Sequence, residues 1–245
     1  MRRVSAPAEK GFHRVAWDLR FAASGPAKLP SEKEEKDPWD APDEGPMAAP
    51  GTYRVELAQR VAGTVTGLAG SQQFRVVSLG LATLAAHDKA AVLTFEQKTA
   101  RLQRAVLGAV EATKEARARL ARIKVALAET PAARSELADQ ARAIEARLAD
   151  LQMALSGDRV LEKYSEPTPP SIEDRVQGIV YSLWATSQAP TGSMQDAYTI
   201  AADEFSVALP KLQNVIQVDL AKLQDAMEKA GAPWTPGRVP TWTKE

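Results

Sequence analysis

Two histidines, His13 and His87, and no cysteine make up the whole imidazole and thiol supply of this chain of 245 residues. Without cysteine there is no disulfide, no thiolate metal site, no iron–sulfur cluster and no cysteine nucleophile. With two histidines, a multi-histidine metal site within one chain is not expected. A Ser–His–Asp triad would have to take its base from His13 or His87. His13 lies at the start of an alternating segment, on the face of Val15 and Trp17, and reads as a partly buried strand histidine. His87 stands beside Asp88 where a helix should begin and reads as part of its cap. The Gly-rich dinucleotide loop, the P-loop, the nucleophile elbow and the zincin HExxH motif are all missing from the sequence.

Carboxylates are plentiful but interleaved with cations. Glu111, Glu115 and Glu145 alternate with Lys and Arg at helical spacing, the pattern of exposed charge pairs. A glycosidase needs two carboxylates held about 5–10 Å apart across a cleft, and nothing in the spacing places such a pair. The cations Lys114, Arg117, Arg119, Arg122 and Lys124 are offset from the apolar seam and read as a solvated face. A polyanion-binding strip is the alternative, but no aromatics are interleaved there. Lys plus Arg equals Asp plus Glu, 31 each, so bulk positive charge is not available for nucleic acid. No catalytic, cofactor-binding or metal-binding residue is assigned. The candidates for interaction are aromatic: Trp17, Trp39, Tyr53, Trp234 and Trp242.

Composition changes near residue 80, which predicts a domain boundary. Before it lie most of the glycines and several alternating segments. In 13–20, Val15, Trp17 and Leu19 share one face and Arg14, Asp18 and Arg20 the other, as in a half-buried strand. Residues 52–58 repeat the pattern with Tyr53, Val55 and Leu57 inward, after the turn signal Pro50-Gly51. Phe74 and Val76 mark a third strand, and 61–66 a weaker one. Between the first two, 24–50 is rich in proline and acidic residues and predicts a long exposed loop. Trp39 in that loop is either pinned onto the sheet or bundle, or is an anchor for a partner. The expectation for 1–80 is a small Ig-like β-sandwich with too few strands to close, since such sandwiches usually take about seven.

From about residue 86 to 230 the sequence predicts a four-helix antiparallel bundle. Val92, Phe95, Thr99, Leu102, Val106, Ala109, Thr113, Ala116, Leu120, Ile123 and Leu127 form a heptad seam. They predict a helix over 87–129, roughly 60 Å long at 1.5 Å per residue. Thr130 as N-cap and Pro131 at the first helical position predict a second helix over 131–155. Ser171 with Asp174 predicts a capping box for the third. The fourth is predicted over 193–229, kinked at Pro210 and ended by Gly231. The Pro/Trp-rich tail 231–245 is expected to lie on a surface through Trp234 and Trp242. The fold class is therefore α+β in two parts. No apolar run approaches the ~20 residues of a bilayer span, and the basic opening lacks the apolar core of a signal peptide. The chain is then either cytoplasmic or the later part of a longer exported product.

The run Gly11, His13, Arg14, Val15, Trp17, Asp18, Leu19, Arg20, read as G-x-H-R-V-x-W-D-L-R, and 49–57, read as A-P-G-T-Y-x-V-x-L, carry a resemblance. Together they resemble the C-terminal region of bacterial sortilin-like, BNR-repeat proteins often labelled glycosyl hydrolases. The β-part is also similar to the Ig-like domain of flagellar hook-capping proteins. In the sortilin-like family a helical bundle follows, ending near A-P-W-T-P-G-R-x-P, matched here by 232–240. The resemblance implies an upstream β-propeller that holds the family's ligand-binding part, and a C-terminal accessory region whose first strand is missing. It carries over no catalytic residue.

These readings point to a non-catalytic structural or interaction module, with the propeller as its partner and with self-association through the bundle or a sheet edge. A glycoside hydrolase subunit is the rival class. A carbohydrate- or peptide-binding module built on Trp17, Trp39 or Tyr53 is the third. No cofactor is implied.

Overall fold

A computed structural model describes residues 2–27, 44–82 and 84–244. Most of the proline loop, with Trp39, lies outside the described residues. The α+β organisation in two parts is what the structure has: a small antiparallel β-part precedes a long helical bundle.

The β-part contains β1 (Gly51–Val55), β2 (Ala58–Val61), β3 (Thr64–Gly67) and β4 (Gln72–Val76). They are consecutive ladders of one long hairpin, β1 on β4 and β2 on β3. Val55 faces Gln72 and Ala58 faces Gly67, so residues 56–57 oppose residues 68–71. Two extra residues are thus inserted on the returning strand, and the Leu68 amide donates to the Leu57 carbonyl (2.9 Å) to resume the ladder. The tip is Ala62-Gly63, both with positive φ (47° and 84°), as a two-residue hairpin turn requires. The expected Ig-like sandwich is represented by this hairpin, and a second facing sheet is not found among the described residues.

The predicted strand 13–20 is a correction. Only Arg20 pairs, in an isolated bridge with Met47. Leu19 adopts φ 59°, a left-handed conformation that interrupts any strand. His13 is exposed, and its Nε2 is 2.7 Å from the Glu9 carbonyl.

In the bundle, α1 runs Lys89–Ala128, capped by the Asp88 side chain on the Ala91 amide. α2 is Ser135–Ser156, a short α3 is Arg159–Lys163, α4 is Ile172–Leu183 and α5 is Gly192–Asn214. A π-helical turn, Val215–Asp219, joins α5 to α6 (Leu220–Lys229) without a break. It follows Pro210 closely, so the distortion expected at the proline is accompanied by a widened turn beyond it. The capping box at Ser171 and Asp174 is complete.

α2 starts later than its proline suggests. The Thr130 hydroxyl turns back and donates to the Ala126 carbonyl (2.6 Å), and the N-cap position of the next helix falls at Arg134 instead. Residues 131–134 form a turn, and the helix begins at Ser135. The main core includes Val106, Leu120, Ile123, Leu148, Leu155 and Leu223, fully or almost fully buried, with contributions from α1, α2, α4, α5 and α6. A second cluster, Ile179, Val180, Leu183 and Trp184, packs against Phe95 and Tyr198 at the start of α1 and α5. It lies where the β-part meets the bundle.

Candidate docking surface

The sequence around Trp17 builds a small aromatic centre. Trp17 lies 5.5 Å from Tyr53 and 6.1 Å from Phe74, and Tyr53 stacks on Phe74 at 6.1 Å. These rings come from the N-terminal segment, β1 and β4, so they fasten the segment to the hairpin. The Trp17 indole N–H donates to the Arg20 carbonyl (2.8 Å), and the Tyr53 hydroxyl donates to the Ala49 carbonyl (2.6 Å). Burial raises the Tyr53 phenol above its ordinary pKa.

Arg20 carries the connection to the bundle. Its Nε pairs with Glu44 (2.8 Å), and its Nη1 donates to the carbonyls of Gly45 and Trp184 (3.3 Å each). The Leu19 carbonyl accepts the Ala48 amide (2.7 Å), and the Phe21 amide donates to the Pro46 carbonyl (2.9 Å). Gly45 is needed for this approach, because a Cβ there would sit 2.3 Å from the Phe21 carbonyl oxygen. A second tie joins the Ala86 amide to the Ser187 carbonyl (2.9 Å).

Under this junction α1 turns polar residues inward. Glu96 is 4% exposed and Gln103 equally buried, while Phe95 and Leu102 of the expected seam are only half-buried. Gln103 donates to the Gln177 side chain (2.9 Å). Desolvation pushes the Glu96 carboxyl up to about 7, against the pull of the Arg20 guanidinium. The buried set 96, 99, 103 and 106 has the same three-four spacing as the apolar one. Periodicity therefore allowed two neighbouring registers at this end of the helix, and hydrophobicity alone selects the other.

The expected carboxylate pairs stay on solvated faces. Glu145 pairs with Lys124 (2.7 Å) and Glu111 lies 3.9 Å from Lys114. Among the described residues no group of three or more His, Asp or Glu could hold a metal ion. No described helix is long and apolar enough to cross a membrane. A groove of about 870 Å³ opens between α2 and α5. Its rim alternates in sign, with Arg147 and Lys211 against Asp150 and Glu204, and its floor includes Leu151 and Ile172.

The structure brings Trp17 and Tyr53 together but not the tail tryptophans. Trp234 and Trp242 are 61% and 83% exposed, so they do not hold the tail down. Thr235 and Arg238 are buried in their place. The Arg238 guanidinium pairs with Glu228 and donates to the carbonyls of Pro233 (2.8 Å) and Ala232 (3.2 Å). That pairing holds the Glu228 carboxyl below its usual range.

A set of exposed aliphatic side chains lies on the hairpin and the chain leaving it. Val55, Leu57, Val61, Val65 and Leu68 are each more than half exposed. Compared with known protein families, curated proteins and solved structures, the chain matches none.

Proposed function

We propose that this chain is a non-catalytic docking module, the C-terminal accessory region of a sortilin-like propeller protein, and that its partner is the β-propeller. The observation that carries the proposal is one exposed aliphatic face of the hairpin, Leu57, Val61 and Leu68, with Val65 exposed on the opposite face. An isolated two-stranded hairpin is marginal in water, and contiguous exposed apolar surface marks a contact site. The aromatic centre and Arg20 hold this hairpin on the bundle and present it outward. The helical part then acts as a rigid base.

The experiment is co-purification of the full chain with a separately expressed propeller from the same gene neighbourhood. Association is expected, weakened roughly tenfold or more by Leu57→Lys with Val61→Lys, a loss of apolar burial, with unchanged helical circular dichroism. No detectable association of a folded chain would overturn the proposal. So would turnover of glycosides by the isolated chain that one carboxylate substitution abolishes.

A further inference from the structure

Pairing of β1 with β4 ends at Gly51 opposite Val76, because the next residue on the β1 side is Pro50, which has no amide to donate. The chain beyond β4 nevertheless keeps a strand's alternation. Val77, Leu79 and Leu81 alternate with Ser78, Gly80 and Ala82. The three aliphatic side chains are 62%, 80% and 82% exposed. Edge segments in soluble proteins are normally guarded by charge or proline, yet residues 76–86 contain neither.

The segment is also complementary to itself. Set antiparallel to a second copy with a two-fold axis through Leu79, it places Val77 opposite Leu81 and Leu79 opposite Leu79. Ser78 then falls opposite Gly80. All the aliphatic side chains meet on one face, and no like charges are opposed. A local change is needed at Gly80, whose φ of 70° must become extended, and glycine crosses between these regions freely. Its amide would exchange the bond to the Ser78 hydroxyl (3.3 Å) for a ladder bond.

We infer that residues 77–82 pair with the same residues of a second copy of this chain, giving an isologous dimer through a two-stranded antiparallel link. The proposal goes beyond propeller docking and uses residues apart from the Leu57 and Val61 face, so either can fail alone.

The test exploits the absence of cysteine. In the full chain, Leu79→Cys puts one thiol opposite its own copy, at the ~5 Å Cα separation of directly opposed residues, which suits a disulfide. Ser78→Cys places its copies about 8 Å apart on a diagonal, too far to bridge. Mild oxidation should yield a covalent dimer from Leu79→Cys and much less from Ser78→Cys. Sedimentation should show a concentration-dependent dimer of the unmodified chain, weakened roughly tenfold or more by Leu79→Lys. A chain that stays monomeric at high concentration, equal cross-linking of the two thiol variants, or a dimer unaffected by Leu79→Lys would each overturn the proposal.

Discussion

The Arg20 guanidinium donates to the main-chain carbonyl of Trp184 (3.3 Å), joining the N-terminal segment to the end of α4 across 164 positions of sequence. The same side chain pairs with Glu44 and reaches Gly45. Planar, forked donation of this kind is specific to arginine. Arg20→Ala should lower stability by about 2 kcal/mol, the cost of unpaired acceptors and a lost charge pair. Arg20→Lys should recover little of it. Urea denaturation followed by tryptophan fluorescence measures both.

Glu96 makes stability depend on pH. Its carboxyl is raised from 4.5 to about 7 by burial. The folded state therefore binds the proton more tightly than the unfolded state. The contribution is fully present below about pH 4.5 and is lost as pH rises through about 7. Each pH unit of displacement is worth about 1.4 kcal/mol, so ionisation of this group costs the fold roughly 3 kcal/mol at most. Glu96→Gln should flatten this part of the profile and leave the protein more stable than the parent at pH 8. Removing Arg20 should move the Glu96 midpoint higher still, since the guanidinium pulls it down. Thermal melts between pH 4 and 8 would show a slope retained in Glu96→Gln if the carboxyl were not its source.

Much of the bundle can be read from the sequence because a helical core repeats with a period that side chains report directly. The predicted 87–129 and the observed Lys89–Ala128 differ only at the ends. Asp88 and the Ser171–Asp174 box are local signals that need no tertiary information. The junction is different. The alternation in 13–20 satisfies a strand pattern, but the fold uses the left-handed turn at Leu19 to aim Arg20 at the bundle. Glu96 and Gln103 are buried because α4 and the N-terminal segment arrive there, which no local pattern in α1 encodes. Thr130 looks like a forward cap, but α2 begins only at Ser135, after a turn that the local sequence does not announce. For the tail, aromatic type suggested Trp234 and Trp242 as anchors, whereas Arg238 holds it by donating to several acceptors at once.

Gly45→Ala tests the close approach of 44–48 to 19–21. The added methyl would meet the carbonyl oxygens of Phe21 and Ala22 at 2.3 and 2.5 Å. Backbone has to move, so the Arg20 contacts with Glu44 and Gly45 should loosen. A loss of about 1–3 kcal/mol is expected, typical of a forced core clash. Hydrogen exchange should speed up at Phe21 and Ala48 before it changes in α2.

Arg238→Ala should free the tail without disturbing the core. Its partners are Glu228, Pro233 and Ala232, all within α6 and the tail. Limited proteolysis should then cut after residue 231 at a faster rate, while the melting temperature moves only slightly. Unchanged proteolysis would show that Thr235 and the contacts of Gly237 with Arg119 suffice.

The contact of Arg20 with Trp184 also sets an order of events during synthesis. The hairpin leaves the ribosome long before the helix that receives it. At about 5–20 residues per second, the 164 intervening positions take roughly ten to thirty seconds to translate. For that interval Arg20 lacks its acceptor on the bundle, and the exposed aliphatic side chains of the hairpin are open to any chaperone or neighbouring nascent chain. Slowing translation between the codons for Val76 and Trp184 would lengthen this exposure, and speeding it would shorten it.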